Sequence, residues 1–171
     1  MNSASRDLSS VLNRITNKLQ QDRVVSDALH DLRELLDVDR VVLYYFYTKW
    51  KGQVTFEALS DHRYSIIGST GADDCFNLEY ASLYAAGRIY FTEDIEKALI
   101  NECHRDFLRT LQVRSNLVAP VLVKNSNTDS DRLWGLLVAH HCQDVRVWQD
   151  SDIESIRQCS RHLTNSPSIQ S

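Results

Sequence analysis

Cysteine and histidine are the side chains here with the widest chemical range, and most stand in unremarkable surroundings. The four cysteines, Cys75, Cys103, Cys142 and Cys159, are far apart and form no Cys-x-x-Cys pair. That spacing indicates neither a structural zinc site nor a small disulfide scaffold. Each reads by default as a free thiol that packs as a small apolar residue. Two have unusual neighbours: Cys103 lies in Glu102-Cys103-His104, and Cys75 in Asp73-Asp74-Cys75-Phe76. The pair His140-His141 falls in a strand pattern, which sends the two rings to opposite faces and keeps them from sharing a metal. There is no Gly-x-Ser-x-Gly elbow, no Gly-x-Gly-x-x-Gly and no phosphate-binding Gly-x-x-x-x-Gly-Lys loop. A thiol-dependent enzyme using Cys103 with a histidine is compatible with the spacing, but no motif supports it.

The whole chain bounds what these residues can belong to. It has 171 residues, 43% hydrophobic and 25% charged, which is one globular domain with a core. A net charge of -4 argues against nucleic acid as a partner. No stretch approaches the ~20 apolar residues of a membrane span, and the first residues lack the pattern of a signal peptide. The expectation is a soluble cytoplasmic domain of α+β class.

The elements that must position the thiols follow from periodicity. Leu8, Val11, Leu12, Ile15 and Leu19 form one helical stripe, and Val25, Ala28, Leu29, Leu32, Leu35 and Leu36 a second. Arg40 to Tyr47 is a β-branched and aromatic strand; Val54, Phe56 and Ala58 alternate along the next, after a hairpin loop at 49–52. Residues 60–77 keep no period and are longer than an ordinary connection, which marks a functional or a disordered stretch. Leu78 to Ala86 reads as a helix closed by Gly87, and 94–99 and 101–111 as two short helical pieces. Val113 to Val123 and Leu133 to His140 read as a hairpin, with Pro120 demanding a sheet edge or a bulge. Ser151-x-x-Glu154 reads as the capping box of the last helix, and 165–171 as a frayed tail. Tyr44, Phe46, Tyr90 and Trp134 read as core or pocket wall.

Several of these segments resemble one family. Cys103-His104, then Val113-Arg114-Ser115-Asn116-Leu117-Val118-Ala119-Pro120, Leu133-Trp134-Gly135-Leu136-Leu137-Val138-Ala139-His140 and Val145-Arg146-Val147-Trp148-Gln149 are similar in order and spacing to the bilin-binding GAF domains of phytochromes and cyanobacteriochromes. Asp73-x-Cys75-Phe76 resembles the Asp-Xaa-Cys-Phe motif of one cyanobacteriochrome subgroup. The resemblance runs over about 23–163 of a single 1–171 photosensory domain. It implies a central antiparallel sheet with helices packed on it and the terminal helices at one face.

It also implies a photoreceptor rather than an enzyme. A linear tetrapyrrole, phycocyanobilin or its isomer phycoviolobilin, would be joined to Cys103 by a thioether. His104, Asn116, His140, Phe76 and Trp50 would contact it, and Asp73 would accept from its pyrrole N–H groups. Cys75 would add reversibly to the central methine bridge, giving a blue-absorbing state in darkness and a green-, teal- or orange-absorbing state after C/D-ring isomerisation. Two departures stand out. Asp74 sets a second carboxylate beside Cys75, which disfavours its thiolate and slows re-addition. Tyr45 stands where many relatives carry an arginine, so that arginine's contact to a propionate is in question. The implied partners are an output domain, such as a histidine kinase or a cyclic-dinucleotide enzyme, and a second copy through the terminal helices. The rival within the same fold is a GAF domain that holds a small ligand such as a cyclic nucleotide without covalent attachment.

Overall fold

A computed structural model describes residues 3–48, 51–71 and 78–171. Asp73, Cys75, Phe76 and Trp50 lie outside the described residues. The elements run α1 (Ser3–Gln21), α2 (Arg23–Leu36), β1 (Arg40–Thr48), β2 (Lys51–Leu59), α3 (Leu78–Ala85), β3 (Tyr90–Thr92), α4 (Glu102–Thr110), β4 (Ser115–Lys124), β5 (Asp131–His141), α5 (Asp150–Leu163) and α6 (Pro167–Gln170). All strand pairings are antiparallel in the order β2-β1-β5-β4-β3.

Sequence explains the helix boundaries around α2. The Asp22 carboxylate accepts from Val24 N–H at 2.9 Å and caps its first turn. Asp37, at φ +51°, ends it in the left-handed region, where the Asp37 and Val38 N–H groups reach back to the Glu34 and Arg33 carbonyls. Between these caps Val25, Leu29, Leu32 and Leu36 bury one stripe. That stripe packs with α5 residues Ile156 and Leu163 against the sheet face made of Val41, Leu43, Phe56, Ala58, Leu117, Ala119, Leu137 and Ala139. The opposite face carries Val42, Val54, Val118, Leu136 and Val138 with Tyr84 of α3. Strand alternation thus divides β1, β4 and β5 between two apolar layers, one under helices and one open toward α3 and α4.

Strand β2 departs from simple alternation. Leu43 pairs with Phe56 but Tyr44 pairs with Val54, so Thr55 is an extra residue in the ladder. The bulge turns Val54 away from the layer that holds Phe56 and Ala58 and onto the opposite face. The Thr55 hydroxyl donates to the Leu43 carbonyl at 3.3 Å. Pro120 meets its requirement at an edge: β3 pairs only with 116–118, leaving β4 without an outer neighbour at Pro120 among the described residues, and the register shifts just beyond it, between Val121 and Leu122.

Three expectations need correction. Residues 94–99 are turns rather than helix, tied down by Arg105, whose guanidinium donates to the Ile95 and Ala98 carbonyls and buries Ile95 against Leu108 and Val113. Helix α5 begins earlier than Ser151: the Asp152 carboxylate accepts from Gln149 N–H at 2.9 Å, making Gln149 the cap. The tail does not fray. It forms α6, with Ser166 Oγ donating to the Asp22 carboxylate at 2.6 Å and Ile169 at 0% exposure in the helical layer. Ile169→Ala is therefore expected to cost about 2–5 kcal/mol, the usual range for emptying a buried aliphatic site. A urea midpoint unchanged from the parent would show the tail to be dispensable. Gly87, at φ +92°, closes α3 as expected, with the Arg88 N–H returning to the Leu83 carbonyl.

Candidate functional site

The second apolar layer is incomplete, and the gap is the site. A cavity of about 1040 Å³, counted out to open solvent, lies between the sheet, α3, α4 and the loop 66–71. Val42, Tyr44 and Phe46 from β1, Val118 from β4, and Leu136 and Val138 from β5 make its floor. Ile100, Phe107, Leu108 and Leu111 wall it on the α4 side, and Tyr84 and Tyr90 on the α3 and β3 side. Such a lining suits a large, flat, mainly apolar ligand.

Three polar side chains meet at the β4–β5 end, while Ser69 and Thr70 line the cavity on the β2 side. Asn116 and His140 are directly paired across β4 and β5, so their side chains leave the sheet side by side on the cavity face. Asn116 is 4% exposed, and its Oδ1 has no hydrogen-bond partner. A buried acceptor without a donor costs roughly 1–3 kcal/mol, so its presence in a cavity points to a ligand donor. His104 joins them from α4. Burial holds its imidazole below the ordinary range, and the neutral form predominates at pH 7. His140 is pushed well below the ordinary value, first by burial and then by the Arg40 and His104 charges. His141 points away, to the Asp39 carboxylate at 3.7 Å, so the two histidines do face opposite sides.

Arg40 was not singled out by sequence reasoning. It is 1% exposed and lies behind the polar end, donating from Nε to His140 Nδ1 at 2.9 Å, to the Tyr64 carbonyl at 2.7 Å and to the Leu111 carbonyl. Its signal in the sequence is parity. An arginine opening an apolar strand, two and four residues before Val42 and Tyr44, must lie on the same face as they do.

Cys103 sits in the first turn of α4, one residue before His104, on the exposed side of the helix. Asn101 caps that turn, its side-chain oxygen accepting from Cys103 N–H at 2.9 Å. Cys103 is disulfide-bonded in the structure, whereas Cys142 and Cys159 are free. Burial pushes those two thiols up, to about 11 and about 12, so neither is a nucleophile at neutral pH. Of the candidate aromatics, Tyr44, Phe46 and Tyr90 line the cavity, whereas Trp134 packs on Tyr45 in the helical layer at a centroid distance of 5.1 Å. Tyr45 thus faces away from the cavity. Tyr44 also anchors the last described residue before 72–77: its hydroxyl accepts from Gly71 N–H at 2.7 Å. A Cβ at Gly71 would overlap that hydroxyl.

An antiparallel five-stranded sheet with helices on one face and a mainly apolar cavity under α3 and α4 on the other defines a two-faced α+β domain class, and comparison identifies the family. The GAF domain model matches residues 20–166, and the chain belongs to the GAF domain family. It is 47% identical over 158 residues to an uncharacterized protein of Picosynechococcus sp., covering 92% of this chain and 93% of that one. It is 35% identical over 141 residues to a putative methyl-accepting chemotaxis protein of Synechocystis sp., covering 82% of this chain but 14% of that one. It is 30% identical over 179 residues to the circadian input-output histidine kinase CikA of Synechocystis sp., covering 91% of this chain and 23% of that one. The chain therefore spans a small part of those two signalling proteins.

Among solved structures, the blue-light absorbing form of the Thermosynechococcus elongatus PixJ GAF domain matches with a TM-score of 0.73 and 32% identity, over 87% of this chain and 86% of that one. A phycocyanobilin-bound GAF domain from a cyanobacterial phytochrome matches with a TM-score of 0.71 and 26% identity, over 92% and 91%. Among the described residues, no helix is long and apolar enough to cross a membrane, and no cluster of His, Cys, Asp and Glu could hold a metal.

Proposed function

We propose that this GAF domain is a photoreceptor module that binds a linear tetrapyrrole, phycocyanobilin or phycoviolobilin, through a thioether at Cys103. The observation that carries the reading is the cavity itself. It is lined mainly by apolar and aromatic side chains, holds a buried Asn116 oxygen with no partner among the described residues, and takes in His104, the residue after Cys103. A bound bilin supplies visible absorption and a double bond that light can isomerise.

The chain's own residues do the rest. Cys103, when reduced, adds its sulfur and proton across the double bond of the ring A side chain, at a first-turn helix position that favours negative charge. His104 and His140 present neutral imidazoles, which adds no positive charge near a protonated pyrrole system. Tyr44, Phe46, Phe107 and Tyr90 exclude water from the apolar body of the ligand. Asp73 accepts from pyrrole N–H groups, with Phe76 and Trp50 packing on the chromophore. In the Asp-Xaa-Cys-Phe reading, Cys75 adds a second, reversible thioether that shortens conjugation and gives a blue-absorbing dark state. The structural change that light sets off then passes from cavity to helical layer and to an output domain in a larger chain, as the chemotaxis and histidine-kinase relatives suggest; cyclic-dinucleotide enzymes and self-pairing through terminal helices are further routes.

Co-expression with a bilin-synthesis pathway tests the reading. The purified protein is expected to be coloured and to change its spectrum on illumination. The colour should also stay on the denatured polypeptide and fluoresce with zinc. Cys75→Ala is expected to keep the pigment and lose the blue-absorbing state; an unchanged blue band in that variant would sink the two-cysteine scheme. A colourless protein that instead binds a cyclic nucleotide would favour the non-covalent GAF alternative.

A further inference from the structure

We infer that Arg40 is a positioning residue that locks His140 in the tautomer with its proton on Nε2, so that the polar end of the cavity presents a fixed N–H donor beside the Asn116 acceptor. A guanidinium Nε–H donates and never accepts. Its 2.9 Å contact with His140 Nδ1 therefore requires an unprotonated Nδ1, and a neutral ring must then carry its proton on Nε2. Protonating Nδ1 as well would set a proton against the Arg40 N–H, so the doubly protonated ring is excluded by the same contact.

Arg40 has no freedom to leave. Its other guanidinium nitrogens are held by the Tyr64 carbonyl, which follows β2, and the Leu111 carbonyl, which ends α4. Three segments far apart in sequence thus converge on one planar group, which makes its orientation, and with it the tautomer, a property of the folded domain. Across the ladder Asn116 is the register partner of His140, and its Oδ1 is buried without a donor. A donor and an acceptor so placed select a ligand that offers an acceptor and a donor side by side, as an amide-like edge does. This step rests on the chromophore reading above, whereas the tautomer itself does not.

The test separates the two. In the pigment-free protein labelled with 15N in arginine and histidine, a scalar coupling across the hydrogen bond is expected between Arg40 Nε and His140 Nδ1. Long-range correlations are expected to show a single Nε2–H tautomer for His140. No coupling, a proton on Nδ1, or an average of both forms would overturn the inference without touching pigment binding. Arg40→Lys provides the second arm: it keeps a cation but not the planar geometry, and is expected to lose the single-tautomer signature. A folded Arg40→Lys protein that keeps a pure Nε2–H tautomer would also overturn it. If that variant does not fold, the wild-type coupling alone decides. Failure of the chromophore reading would look different: the coupling present, and no colour after co-expression.

Discussion

Cys103→Ala is expected to reduce covalently retained pigment to the level of a protein never exposed to bilin, with the fold intact. The first half follows from chemistry. Cys142 and Cys159 have thiols pushed up to about 11 and about 12 by burial, and neither belongs to the cavity wall. Neither supplies thiolate at neutral pH, and the Cys75 thioether of the two-cysteine scheme is reversible, so illumination before denaturation leaves Cys103 as the one lasting attachment. The second half follows from position: Cys103 is on the exposed side of α4, where substitutions fall within about 0.5 kcal/mol when no special contact is lost. The comparison is therefore made in reductant, so that no disulfide at Cys103 contributes to either protein. Zinc-induced fluorescence of the denatured band reads attachment, and circular dichroism reads the fold. Pigment that survives denaturation on the variant would move the attachment site elsewhere.

Gly135→Ala is expected to give a large loss of stability. Gly135 lies in β5 opposite Tyr45 of β1, in the central strand pair. A Cβ there would overlap the Tyr44 carbonyl oxygen and come within 3.1 Å of its carbonyl carbon and 3.3 Å of the Tyr45 Cα. These are backbone atoms held by the ladder, so no side chain can swing aside. Overpacking ordinarily costs about 1–3 kcal/mol, and relief here would require parting two hydrogen-bonded strands, which places the cost at or above the top of that range. Urea denaturation checks it; a loss under about 0.5 kcal/mol, the scale of an ordinary surface change, would show that the strands can separate freely.

Much of this arrangement was legible from local pattern. Period 3.6 marked α1, α2 and α5, and a β-branched and aromatic run marked β1; the alternation of Val54, Phe56 and Ala58 marked β2 but not its faces, since the bulge sends Val54 to the other side. Asn116 and His140 were candidates from a family resemblance, and strand pairing brings them side by side. What escaped has a common cause. The Thr55 bulge, the three-residue β3 and α6 all depend on partners distant in the chain, which short-range propensity does not contain. Arg40 escaped for the same reason, since its partner His140 is 100 residues away. The expected helix at 94–99 failed because the Arg105 guanidinium takes carbonyls that a helix would have used.

The two-faced strand β1 has a mechanical meaning. Val42, Tyr44 and Phe46 touch the cavity, and Val41, Leu43 and Tyr45, interleaved with them, touch the helices. Each peptide plane is thus shared by two apolar layers. A ligand that displaces the Tyr44 ring by a fraction of an ångström pulls on the same backbone that seats Leu43 under α2 and Tyr45 on Trp134. The wall behaves as a membrane of a drum, thin enough that a stroke on one side is felt on the other.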